Sequence, residues 1–386
     1  MKLTVVALIM VAAVLVSCNP RSSKAVSSPA GMTRIAVGSG PASVELADLH
    51  GAGKTDIVVA NTASGTVTVL LGDGHGEFKP AAGSPFPAGR APNDIAVADI
   101  NGDGKVDLAF ANHETNFVTI LFGDGRGGFS PGSQSPLTVD SKPHPHGITC
   151  ADFNGDHHID LAVESWQTNQ VEVFTGDGRG NFNSPGRMFP VGKMPYQRLR
   201  SGDFNKDGYA DLVTTNLEGD NVTILLSDGK GGFNEAGGSP FPAGKSPFGV
   251  AVGDVNKDGN ADLVVANYSG RPDNPTGEGV TVLLGDGKGG FRAVAGSPFA
   301  TGSAPTRVAI GDIDGDGNPD IAVCNSQSDN LTILRGDGKG GFAAGYTIGV
   351  GHGPNGVALG DLNGDGKADI VVANSKDNDI GVILSR

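Results

Sequence analysis

Seven Asp-rich nonapeptides recur along the chain: DLHGAGKTD at 48–56, DINGDGKVD at 99–107, DFNGDHHID at 152–160, DFNKDGYAD at 203–211, DVNKDGNAD at 254–262, DIDGDGNPD at 312–320 and DLNGDGKAD at 361–369. In six of them, positions 1, 3, 5 and 9 carry a side-chain oxygen. The sets are Asp99, Asn101, Asp103 and Asp107; Asp152, Asn154, Asp156 and Asp160; Asp203, Asn205, Asp207 and Asp211; Asp254, Asn256, Asp258 and Asp262; Asp312, Asp314, Asp316 and Asp320; and Asp361, Asn363, Asp365 and Asp369. A hard divalent cation takes about six to eight such ligands. Alternate residues of a tight loop point to one centre, the carbonyl at position 7 can add a ligand, and Gly at position 6 permits the sharp turn. The spacing predicts six structural Ca2+ sites; Mg2+ fits less well because it resists full dehydration. Without a cation, the clustered carboxylates of each set would repel one another.

The first loop is degenerate. His50 and Ala52 replace the oxygen ligands at positions 3 and 5, leaving Asp48 and Asp56, so no tight site is expected there. In the third loop His157 stands where Gly is usual, which predicts a strained turn.

The elements that carry these loops are strands. First Asp residues are spaced by 51, 53, 51, 51, 58 and 49 residues. A period of roughly 50 marks a propeller or solenoid. In the second repeat Ile95–Ala98 enters the Asp loop and Leu108–Ala111 leaves it. Val118–Phe122 follows, then the hairpin GDGRGGF at 123–129 and an irregular fourth strand. Four short strands per repeat is blade geometry. The seventh repeat stops after its third strand, at 380–384. Yet Ile35, Val37, Gly38, Pro41 and Val44 match Ile348, Val350, Gly351, Pro354 and Val357 at a constant offset of 313. The reading is an all-β, seven-bladed β-propeller of four-stranded blades, its ring closed by the N-terminal strand completing the last blade. Closure removes exposed sheet edges.

Composition agrees. The 386 residues include 62 Gly, too many for a helical bundle, and lack the period of a collagen. The net charge of −14 argues against a nucleic-acid partner. Of 42 acidic residues 21 lie in the seven loops, so the acidity belongs to the loops. Residues 1–17 read as a signal peptide, with an apolar run over 3–16 that is short for a membrane span. Leu15-Val16-Ser17-Cys18 resembles a bacterial lipobox, which implies lipidation at Cys18. Residues 18–32 form a Ser/Pro-rich tether, and 33–386 the propeller. The expected location is a bacterial outer membrane, periplasm or cell surface, with Asn19 favouring the outer membrane, and the anchor as the only membrane contact. Cys150 and Cys324 fall in strands of different repeats and are expected as buried free thiols.

The D-x-N-x-D-G-x-x-D loops, with G-D-G-x-G-x-F downstream in five of the seven repeats, resemble FG-GAP/VCBS repeats, which form the seven-bladed head of integrin α-subunits. The resemblance covers roughly 33–386 and implies the fold and calcium. It implies ligand binding on the face opposite the calcium loops, and it spans adhesion modules, lectins and lyases alike.

That opposite face is made by loops joining strands 2 and 3 and by the crossings between blades. Its departures from the repeat are the candidate ligand residues: His144, His146, Glu164, Trp166, Tyr196, Arg198, Phe248, Tyr268 and Arg271. Aromatic rings with nearby Arg, His and Glu suit a sugar, an anionic sugar or a peptide carboxylate. The first reading is a non-enzymatic, monomeric recognition or scaffold module for glycan or protein. The alternatives are a polysaccharide-active, lyase-like enzyme using Glu164, His146 and Arg198, and a purely structural component of a surface assembly. Trp166 and Tyr196 could also merely plug the channel mouth, and His113, His144 and His146 could hold a transition metal. Glu164, His146 and Arg198 close together at the mouth of a deep pocket would favour the enzyme. An aromatic-lined shallow face would favour binding.

Overall fold

A computed structural model describes residues 31–140, 144–268 and 279–385. Cys18, with residues 1–30, and Arg271 lie outside the described residues. Seven antiparallel sheets, one per repeat, form the blades of a propeller, and no helix occurs among the described residues. Blade 1 runs outward through Pro41–Ala47, Asp56–Asn61, Thr66–Gly72 and Phe78–Pro80. The innermost strands are Pro41–Ala47, Pro92–Ala98, Pro145–Ala151, Pro195–Gly202, Pro247–Gly253, Pro305–Gly311 and Pro354–Gly360. Each touches the next and the last touches the first, so together they line the axis. Every one begins with Pro, at the strand start where the missing N–H is tolerated.

The ring closes as the sequence predicts. Met32–Ala36 forms the outermost strand of blade 7 and pairs antiparallel with Asp379–Ile383, Ile35 lying opposite Ile380. The core is divided among the interfaces. Seven apolar clusters each join two neighbouring blades. The seam between blades 7 and 1 is filled in the same way, by Val44, Ile57 and Val59 against Val371, Ala373 and Val382. The residue at loop position 2 plugs these interfaces: Leu49, Ile100, Phe153, Phe204, Val255, Ile313 and Leu362 are all buried. Each contributes roughly 1.5–3 kcal/mol through apolar burial.

His157 adopts φ 67°, in the left-handed region occupied by Gly104 at 82° and Gly208 at 89°. The side chain there costs roughly 1–2 kcal/mol, as expected of a Cβ in that region. Cys324 is buried, Cys150 is half-buried, and both are free.

Candidate functional site

The Asp loops cap one face of the ring, and their backbone is organised by their own carboxylates. Position 9 is fully buried in loops 1 to 5 and 7, and nearly so at Asp320. One oxygen of each accepts the N–H of loop position 2, as from Ile100 to Asp107 at 3.0 Å. The other accepts an N–H at the end of the third strand, as from Gly123 to Asp107 at 2.8 Å. The same pair of bonds recurs in all seven blades. Burial lifts the carboxyls of Asp107, Asp160, Asp211 and Asp262 to about 6, against these bonds. Position 1 accepts the N–H of position 6, as from Gly104 to Asp99 at 2.8 Å, and position 3 accepts that of position 5.

Hard oxygens converge here, as a calcium site requires. In loop 6, single carboxylate oxygens of Asp312, Asp314 and Asp320 all lie within 4.8 Å of one another. Loop 1 gathers Asp48, His50 and Asp56 equally closely, but with the imidazole in the middle. His50 Nδ1 lies 2.7 Å from Asp56 and 3.8 Å from Asp48. An imidazole thus stands between the two carboxylates that remain in this loop.

On the opposite face, rings from blades 2 to 5 form one continuous arc. Centroids run from Trp166 to His144 at 5.7 Å, His144 to His113 at 5.0 Å and His113 to His146 at 4.2 Å. They continue from His146 to Tyr196 at 4.2 Å, Tyr196 to Phe248 at 5.4 Å and Phe248 to Tyr268, stacked, at 4.9 Å. His113, His144, Trp166, Tyr196, Phe248 and Tyr268 are half-buried, so each ring keeps a solvent-facing part. His144 Nδ1 donates to the His113 carbonyl at 2.8 Å. Burial lowers the pKa of His113 and, much further, that of His146, holding these rings neutral. The ring nitrogens of the three His do not all converge within the 4.8 Å that the carboxylates of loop 6 reach.

His146 is the buried link of this arc, and Glu164 and Arg198 lie beneath it. His146 and Glu164 are fully buried and Arg198 is 4% exposed. Glu164 packs behind Gly147, where a Cβ would stand only 2.7 Å from its Oε1. The Thr214 hydroxyl lies beside Glu164 without a well-aligned hydrogen bond. Burial pushes the Glu164 carboxyl up to about 8, so it is protonated at neutral pH. Arg198 pairs across the axis with Asp94, and Arg200 joins the same carboxylate at 3.1 Å. Glu45 stands 3.5 Å from both guanidiniums. Blades 1, 2 and 4 are therefore tied through the channel by charge, with Arg307 of blade 6 buried nearby.

Sequence comparison matches the FG-GAP-like repeat at residues 48–110, 99–163, 203–265, 259–323 and 313–372, more than half of the chain. The chain belongs to the FG-GAP-like repeat family. Solved structures with the same ring are distant. BBS1N in complex with ARL6DN aligns over 94% of this chain and 98% of its own, with a TM-score of 0.61 and 10% identity. Virginiamycin B lyase from Staphylococcus aureus aligns over 92% and 99%, at 0.58 and 14%. A lectin from Agrocybe aegerita that recognises non-reducing terminal N-acetylglucosamine aligns over 91% and 87%, at 0.52 and 19%. Such likeness establishes the fold alone. The search of curated proteins gave no match.

Two features of this FG-GAP-like ring escaped the loop-by-loop reading. The first is the charged axis of Glu45, Asp94, Arg200 and Arg307. Its signal lies in the innermost strands: at the third position blades 3, 5 and 7 carry Gly147, Gly249 and Gly356, whereas blades 1, 2 and 6 carry Ser43, Asp94 and Arg307. The second is an open pocket of about 740 Å3 on the arc's side of the ring, over blades 1, 2 and 7. Ser64, Arg90, Asn93, Glu114, Asn355 and Ser375 line it. Arg90 and Glu114 pair at its rim at 2.8 Å. These are ordinary surface residues one at a time, and no single motif marks them.

Proposed function

We propose that this FG-GAP-like propeller is exported, anchored by a lipid at Cys18, loaded with about six structural Ca2+ ions, and binds a glycan on the face opposite the Asp loops. The observation that carries this reading is the arc of seven touching rings from Trp166 to Tyr268. Half-buried rings held by their neighbours present fixed apolar faces to the C–H faces of a sugar. The polar pocket beside the arc offers amide, hydroxyl and charged groups for the sugar hydroxyls. A binding role fits better than catalysis, because His146 and Glu164 are sealed from solvent and Arg198 is engaged by Asp94. In the Asp loops Asp99, Asn101, Asp103 and Asp107, with their counterparts in the other complete loops, would hold calcium as a structural clamp.

A glycan array on the calcium-loaded propeller tests the reading. Trp166 is the only Trp in the chain, so its emission reports ligand at the arc. Retention of a defined glycan with a shift in Trp166 emission, weakened about tenfold by Trp166→Ala, is the expected result. An array with no retained glycan, or retention that leaves Trp166 emission unmoved, would overturn it in favour of a protein ligand or a scaffold role.

A further inference from the structure

The half of the channel next to the Asp loops holds a cavity of about 350 Å3. Leu46, Ser201, Val252, Ile310 and Leu359 line it, each two residues before an Asp loop. Its walls are unlike. Blades 1 and 4 present Glu45, Arg198 and Arg200, whereas blades 5 to 7 present Val, Ala, Ile and Leu side chains.

The charged wall is not fully paired. Both hydrogen bonds of Arg200 leave from Nη1, to Asp94 at 3.1 Å and to the Leu199 carbonyl at 2.8 Å. Its Nη2 has only Glu45 Oε1, 3.5 Å away and not hydrogen-bonded. Arg198 and Arg200 share Asp94 as their firm anionic neighbour. Burial pushes the Glu45 carboxyl up to about 7, which weakens it as a counter-charge to these guanidiniums at neutral pH. Positive charge is thus in excess beside an aliphatic wall, in a void whose size lies in the range of small-molecule sites, about 300–1,000 Å3.

We propose that this cavity binds a small carboxylate with an aliphatic tail. The carboxylate would fork onto Arg200, using the donors that Asp94 leaves free. The tail would lie along Val252, Val308 and Leu359, which are half-buried, removing their remaining surface from water. The site is separate from the aromatic arc and stands or falls independently of it.

Calorimetry on the full chain with octanoate, octanol and sulfate tests this. Octanoate is expected to bind one per ring, with octanol and sulfate each at least about tenfold weaker. Arg200→Gln should weaken octanoate about tenfold. Ala251→Phe, which fills the void from blade 5 without touching an ion pair, should abolish octanoate binding. If Arg200→Gln fails to fold, Ala251→Phe decides alone. Octanol binding as tightly as octanoate would overturn the proposal, as would equally tight sulfate, no octanoate binding at all, or full binding by Ala251→Phe.

Discussion

Arg34 on the N-terminal strand and Asp377 on the last hairpin, 343 residues away, are joined by an ion pair across the outer edge of blade 7. Arg34 also bonds Asp379 at 2.7 Å, and Asp377 accepts from the His352 ring at 2.9 Å. These bonds fasten the edge at which the ring is completed.

Acid should loosen this edge first. The backbone and ring N–H groups of His352, then Arg34, hold Asp377 down to about 2. A depressed carboxyl contributes its stability above its unfolded value, near 3.8, and loses it as pH falls to about 2. Hydrogen exchange at Thr33 to Ile35 should therefore accelerate between about pH 4 and 2, ahead of the inner strands. Arg34→Ala should accelerate the same amides at pH 7. Uniform exchange across blade 7 would contradict the assignment.

Glu164 should act in the opposite sense. Its carboxyl keeps its proton in the folded ring up to about 8 but releases it near 4.5 when unfolded. The folded state then binds more protons, so stability falls as pH rises from about 4.5 to 8. Glu164→Gln removes that slope, leaving the variant more stable than the parent at pH 8 by on the order of a few kcal/mol. Denaturant midpoints across that range check it; parallel curves for the two proteins would count against a protonated Glu164.

Metal content gives a count. Six ions per chain are expected, with loop 1 empty because His50 occupies its centre. Asp312→Ala should lower the count to five and reduce the melting temperature, and chelation should lower it further. A chelated protein that melts unchanged would sink the calcium reading. A seventh ion would show that His50 does not exclude one.

Cys18 has its own assay. Labelled palmitate should be incorporated by the full chain and lost in Cys18→Ala. Equal labelling of both would refute the anchor.

The fold was legible because its signals repeat. The Asp loops, the period, and the match of residues 33–37 to a fourth strand each follow from a local pattern that later blades echo. The double role of position 9 was harder to read. Asp56 survives in a loop that has lost its side-chain oxygens at positions 3 and 5, and the structure gives the reason: it ties Leu49 and Gly72 through their backbone N–H groups whether or not an ion is near. Which of the face residues reach solvent was not legible at all. Each innermost strand bulges after its Pro, and blade 4 sets three residues, 196–198, against Thr215 alone. A bulge redirects the side chains that follow it. Tyr196 stays at the mouth while Arg198 turns into the axis, two positions along.

Pairing of Met32–Ala36 with Asp379–Ile383 also sets a timetable. The strand that leaves the ribosome first must wait, unpartnered, until nearly all of the remaining chain has been made. Six blades can assemble in the order of synthesis, each against its predecessor. The seventh joins the earliest strand to the latest, so the last step in closing the ring is a meeting of the two ends of the fold.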